Sequence, residues 1–217
     1  DPQVIRDFYH KWYTPDRSYI IGVGDMDPKE FQQYLETYLG DIPVNETPRE
    51  TPDLGQVQSN RIEAEVYNNT DLKTASVSIS AVSKIDDPKD TKAYEAEQLK
   101  YIIASYIINR RFQKISQQED SPITQGGSSV NAFENFSRNA SITVYCNPEN
   151  WKTSLGVAEQ ELRKALMYGF TEAELKEAVS ALGSYFEQAT KSANTRDSRR
   201  VSDSFSNSIY RNRVLTS

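Results

Sequence analysis

Hydrophobic and polar positions repeat along this chain with two periods, and the changes between them divide it into elements. Val4, Ile5, Phe8, Tyr9 and Trp12 recur at helical spacing, which predicts a short helix over residues 2–13 with one apolar stripe. Tyr19, Ile20, Ile21 and Val23 then form a continuous apolar run that stops at Gly24-Asp25. This predicts a strand over 18–24, buried on both faces, on which the first helix packs. Asp27 and Pro28 open a helix over 28–39. Asp27 supplies the cap, Pro28 takes the first helical position, where its missing N–H costs nothing, and Glu30 favours the positive end of the helix. Phe31, Tyr34, Leu35 and Tyr38 repeat the stripe, and Gly40 ends it.

Residues 41–58 hold Pro43, Pro48 and Pro52 among polar side chains and read as a linker-like loop. Strands are predicted over 60–67 and 73–83, separated by the turn residues Asn68, Asn69, Thr70 and Asp71. The second alternates cleanly, with Ala75, Val77, Ile79 and Ala81 on one face and Ser76, Ser78 and Ser80 on the other. After Asp87-Pro88 a long helix is predicted over 89–118, with Leu99, Ile102, Ile103, Tyr106 and Ile107 as its inner stripe. The Gly- and Ser-rich stretch 121–133 carries Ile123, Val130 and Phe133 and predicts a bent or bulged strand. In 138–146, Ala140, Ile142, Val144 and Cys146 line one face of a further strand. Asn147-Pro148 caps a helix over 149–168, Thr171 and Glu174 form a capping box opening a helix over 172–192, and a polar helix fills 197–211. Paired strands interleaved with one-sided helices predict an α+β fold, a mainly antiparallel sheet covered by helices on one face, its other face rich in hydroxyls.

Composition narrows the function classes. The 217 residues suffice for one large domain or two small ones with a real core, and length alone does not choose between them, although 1–217 is expected to act as a single domain. A net charge of −6 lacks the basic footprint of a nucleic-acid binder, and no apolar run reaches the ~20 residues of a membrane span. The chain begins at Asp1 without a targeting signal and reads as a segment of a longer polypeptide, so its compartment, the periplasm included, would be set by a signal peptide on the parent.

Candidate chemistry is sparse. Gly22-Val23-Gly24 sits where a dinucleotide-binding turn would, but Asp27 replaces the third glycine and Asp25 would face the phosphates, so a capped strand-to-helix turn is the better reading. His10 is the only histidine, so the zinc motif H-x-x-E-H cannot be written; it reads as a partly buried packing residue. Cys146 reads as a small buried hydrophobe. Ser76, Ser78 and Ser80 have no base to activate them. Their face is either solvated or lines a cavity for extended peptide, with strand addition at a sheet edge as the mode of binding.

The run Phe8-Tyr9-x-x-Trp12-Tyr13-x-Pro15-Asp16, followed by Ile20-Ile21-Gly22-Val23-Gly24-Asp25-Met26-Asp27, resembles the insulinase/pitrilysin family of inverted zincin metallopeptidases, to which the mitochondrial processing peptidases belong. Ile107-Ile108-Asn109-Arg110-Arg111-Phe112, Asp120-Ser121-Pro122-Ile123 and Tyr168-Gly169-Phe170-Thr171-x-x-Glu174-Leu175 agree in the same order. The resemblance implies a second, non-catalytic domain of a zinc protease, inactive alone. Zinc would be held by the upstream catalytic domain, and the partners would be that domain, the other half of the parent and a peptide substrate. An Arg and a Tyr that contact substrate in second-half domains of the family would fall at Ser116 and Ile123; their absence implies the domain of the zinc-bearing half or a degenerate one. A scaffold subunit like the core proteins of respiratory complexes and a free-standing peptide-binding module stay open as alternatives.

Overall fold

A computed structural model describes residues 1–44, 53–58, 61–69, 71–85, 90–133, 136–211 and 213. Residues 1–53 with 194–217 form one compact unit and residues 54–193 another, the chain crossing between them at 53/54, within the stretch 41–58, and again at 193/194. In the first unit, helix α1 spans Pro2–Trp12 and α2 spans Pro28–Leu39. The Asp27 carboxylate accepts from the Lys29 N–H at 2.8 Å, with Pro28 at the first helical position, so this cap forms as its sequence dictates. Helix α6, Ser198–Tyr210, opens on the Asp197 cap.

The predicted strand over 18–24 does not form. Its backbone carries no ladder assignment, and Tyr19 and Ile20 are exposed. An apolar run favours extended backbone, but a strand needs a partner for its N–H and C=O groups, and none lies alongside it among the described residues. Helix α1 therefore lacks the strand it was expected to cover, and Val4, Ile5, Phe8 and Tyr9 stay exposed. The predicted strand over 60–67 likewise has no ladder in its described part, 61–67.

The second unit holds the sheet. Strands β1 (Ala75–Lys84), β2 (Gln125–Phe133) and β3 (Ser137–Cys146) pair antiparallel in the order β1-β3-β2. The stretch expected to bend or bulge is a regular strand, since β2 pairs one-to-one with β3 from Gln125–Tyr145 to Phe133–Ser137. Its glycine has a packing reason: a Cβ on Gly126 would lie 2.9 Å from the Phe112 ring and 3.0 Å from Val144 Cγ1.

Helices α3 (Lys92–Ser116), α4 (Trp151–Tyr168) and α5 (Glu172–Lys191) follow the predicted order. Asp87-Pro88 lies outside the described residues; α3 starts at Lys92 on a Thr91 cap, whose hydroxyl accepts from the Tyr94 N–H. Asn147 makes no side-chain cap, and a short 3-10 turn, Pro148–Asn150, leads into α4 instead. Of the stripe predicted for α3, Ile107 is buried but Leu99 and Ile102 are exposed. The sheet meets the later turns of α3, where Phe112 is fully buried and Ile108 and Ile115 pack beside it.

Phe112, Ile123, Ile142, Val144 and Ala158 form the core, with Val77, Ile79, Val157 and Leu162 against it. Helices α3 and α4 thus cover the face from which Val77, Ile79, Ile142 and Val144 project, and Ser76, Ser78 and Ser80 alternate to the other. The fold is α+β, an antiparallel sheet with helices on one face.

Phe112→Ala removes the largest fully buried side chain and is expected to cost about 3–5 kcal/mol through lost burial and the cavity left behind. Gly126→Ala forces the same ring to move and is expected to cost about 1–3 kcal/mol. Urea unfolding of the two variants checks both values.

Candidate functional site

The open face of the sheet is assembled by register. Ser76 lies across from Tyr145, Ser78 from Thr143 and Ser80 from Ser141, and on the far side of β3 these meet Gln125, Gly127 and Ser129. A fourth row is Val82, Asn139 and Asn131. All four rows are free of charged side chains, and the first charge on this face is Lys84, at the end of β1. The hydroxyls bond one another: Ser78 Oγ and Thr143 Oγ1 are 2.8 Å apart, Ser129 Oγ and Ser141 Oγ 3.2 Å, and Asn131 donates to Ser129 Oγ. The three predicted serines are exposed on this surface, spaced along β1. Ser78, Ser129 and Ser141 find other hydroxyls and an amide as partners among the described residues, and each hydroxyl both donates and accepts hydrogen bonds.

Three charged residues of the family-like motifs, Arg110, Arg111 and Glu174, lie on the helical side. Arg111 of α3 donates from Nε and one terminal nitrogen to the two oxygens of Glu174 at 2.6 and 2.9 Å, and from that same terminal nitrogen to the Gly169 carbonyl at 3.2 Å. Glu174 also accepts from the Thr171 N–H at 2.8 Å, while its own N–H donates to the Thr171 hydroxyl, so the predicted capping box is complete. The Phe170 ring lies 5.3 Å from the guanidinium. Gly169 ends α4 at φ +67°, a conformation that favours glycine, and so turns its carbonyl to Arg111. Beside it Arg110 pairs with Glu177 at 2.8 Å. The Arg111 hydrogen bonds and charge, with the Thr171 N–H and hydroxyl, outweigh burial and hold Glu174 down at a pKa of about 2; the Arg111 pKa is raised by the same hydrogen bond.

The third motif is also structural. Ser121 Oγ accepts from the Ile123 N–H, the fully buried Ser154 hydroxyl donates to the Pro122 carbonyl at 2.8 Å, and Ile123 is 1% exposed. A cleft of about 400 Å³ lies where Arg111, Lys164, Tyr168 and Gly169 converge, but Arg111 is held by Glu174 and Lys164 pairs with Glu161. The Arg111–Glu174 pair was missed by sequence reasoning. Its signal was there, an Arg beside the last core residue of one helix and an N-terminal Glu on another, but no local pattern joins positions 63 apart.

The remaining predicted residues stay apart. His10 is exposed on α1, edge-on to Tyr9, and not partly buried as expected, because the strand meant to cover its helix is absent. Cys146 is fully buried at the end of β3. Among the described residues no three His, Cys, Asp or Glu side chains stand close enough to hold a metal ion. A Cβ on Gly22 would lie 2.8 Å from the Phe31 ring, so this glycine admits an aromatic ring to the turn. Ser116 ends α3 and Ile123 is in the core, so the latter position cannot reach a substrate.

A one-sided antiparallel sheet with the Arg111–Glu174 and Arg110–Glu177 pairs on its helical side and a neutral open face defines a domain of the α+β class. The chain belongs to the family described as peptidase M16 inactive domain, whose model matches residues 1–182. It is 22% identical over 215 residues, 97% of its length, to the probable zinc protease PqqL of Escherichia coli K12, of which it spans 23%. The PqqL of Haemophilus influenzae is 25% identical over 120 residues, 55% of this chain and 13% of that protein. The solved structure of the periplasmic protease PqqL from Escherichia coli superposes on all of the chain with a TM-score of 0.85 at 20% identity, matching 24% of that chain. A predicted insulinase family protease from Yersinia pestis superposes on 99% of it, over 46% of its own chain, with a TM-score of 0.77 at 13% identity. No helix among the described residues is long and apolar enough to cross a membrane.

The depressed Glu174 pKa fixes a pH dependence. Its folded pKa of about 2 lies below the unincorporated value of 4.5, so the stabilisation is fully present above pH 4.5 and is lost as pH falls toward 2. A shift of that size corresponds to about 3 kcal/mol at most. Wild-type stability should therefore fall more steeply between pH 5 and pH 2 than that of Glu174→Gln, by up to about 3 kcal/mol, with Glu174→Gln weaker by about 1–3 kcal/mol at pH 7. Urea unfolding at stepped pH checks it.

Proposed function

We propose that this chain is a non-catalytic, chamber-forming and substrate-supporting domain of a larger zinc-dependent metalloendopeptidase that degrades or processes peptides. The observation that carries this reading is the hydroxyl face, four cross-strand rows without a charge, on the side of the sheet that no helix of its unit covers among the described residues. A peptide backbone needs both donors and acceptors, which Ser76, Ser78, Ser80, Ser129, Ser141 and Thr143 supply. Neutrality matters as much, because a wall without charge repels neither acidic nor basic segments and so tolerates many sequences.

Zinc and the general base belong, in this reading, to the upstream domain. That domain and the other half of the protease are the partners. Likeness to the first half of the Escherichia coli protease PqqL, with a TM-score of 0.83 at 21% identity, supports a place in the zinc-bearing half. The 217 residues act as one family domain with loop 41–58 as an internal linker, a reading supported by a family match that spans residues 1–182. A periplasmic location follows that relative and requires a signal peptide on the parent.

In the intact parent, Ser78→Trp is expected to lower kcat/KM for a long peptide by about tenfold, while unfolding of the 217-residue chain moves by less than about 0.5 kcal/mol. Elemental analysis should find zinc with the parent and none with this chain. Unchanged cleavage would reduce the hydroxyl face to a solvated surface. A parent with neither zinc nor cleavage would be a scaffold of the same fold.

A further inference from the structure

Resting on the reading that this chain is one part of a larger protein, we infer that residues 61–67 are a strand whose ladder partner is a sheet edge outside this chain. Arg61-Ile62-Glu63-Ala64-Glu65-Val66-Tyr67 alternates polar and apolar positions, yet its backbone pairs with no strand among the described residues. The segment already has strand-like faces. Arg61 Nε lies 2.8 Å from Glu63 Oε1, a contact open to residues two apart because extended backbone puts them on one side. Ile62, Ala64 and Val66 alternate to the other side, where Ile62 is 101% and Val66 92% exposed. A bare apolar face on a backbone with no ladder partner among the described residues is the surface that strand addition satisfies, covering the side chains and completing the ladder in one step.

The chain's own sheet does not take the segment. The N–H of Ser128 on the β2 edge donates to Asn109 Oδ1 at 2.6 Å, so a side chain of α3 occupies that edge. The β1 edge lies nearby in sequence, and the connection contains a turn in which the Asp71 N–H donates to Asn69 Oδ1 and the Leu72 N–H to the Asn69 carbonyl. Even so β1 pairs with β3 alone among the described residues. The chain spans 23% of the length of its Escherichia coli relative, so a parent of that length would have about three quarters of its chain outside these residues from which to supply the edge. The complementary edge would carry apolar side chains on the face continuous with Ile62 and Val66, and cations or neutral donors opposite Glu63 and Glu65.

Hydrogen exchange read by mass spectrometry, on the intact parent and on the 217-residue chain, tests this. Amides of residues 62–67 are expected to exchange at the unfolded rate in the chain alone and at least about a hundredfold slower in the parent. Ala64→Pro should abolish that protection in the parent and leave unfolding of the chain alone unchanged. Equal protection in the chain alone would mean that the β1 edge takes the segment, and no protection in the parent would make it a solvated connection; either result overturns the inference. Zinc content measured on the same samples separates the two readings, since protection without zinc would sink the protease assignment and leave the strand pairing in place.

Discussion

The bidentate contact between Arg111 and Glu174 is the constraint on which the helical layer depends. It ties α3 to the first turn of α5 and, through the Gly169 carbonyl, to the end of α4. One carboxylate serves the ion pair and the capping box together, so the start of α5 and its position against α3 are set by the same atoms. The next residue after Arg111 is Phe112, which fills the space left by Gly126 beside Val144. Polar and apolar anchors thus stand side by side on α3, one directed to the neighbouring helix and one to the sheet.

Their magnitudes differ. Burying Phe112 and its neighbours supplies the larger share of stability, since truncating one such ring costs about 3–5 kcal/mol. The ion pair, with about a fifth of each side chain still exposed, is worth less but is geometrically exact, because a planar fork matches a carboxylate in one orientation. Core burial drives the layers together, and the pair selects their register. With Arg110, Arg111, Glu174 and Glu177 all spent on the α3–α5 contact, the charge of these motifs is kept away from the sheet's open face. The neutral face and the charged helix contact are two results of one division of labour.

Local patterns were legible in the sequence and distant pairings were not. The Asp27 cap, the Thr171 capping box and the alternation of β1 and β3 follow from neighbouring residues and formed as read. The extended runs 18–24 and 61–67 carried the same apolar signal, but a strand exists only with a partner, and pairing is not encoded in the run itself. The stripe of α3 was placed a turn or two early for a related reason: periodicity gives the apolar face of a helix, while the sheet decides which turns are covered. Gly126-Gly127 suggested a bulge, whereas Gly126 makes room for the Phe112 ring and Gly127 lies against Asn109, both contributed by another element.

The same distinction explains what the family likeness carries. Each matching motif in the second unit has a structural task here: Arg111 and Phe112 lock a helix, Ser121 and Pro122 hold a buried turn, and Gly169, Thr171 and Glu174 join two helices. Residues that fix packing are enough to preserve a fold at about a fifth sequence identity to its solved neighbours, whatever becomes of the chemistry. The position where a substrate-contacting Tyr would stand shows the consequence. Ile123 is 1% exposed within the core, so a Tyr there would need both a partner for its hydroxyl and room that Phe112 and Val144 already occupy. The substrate-contacting role is therefore closed at this position by packing as well as by residue type.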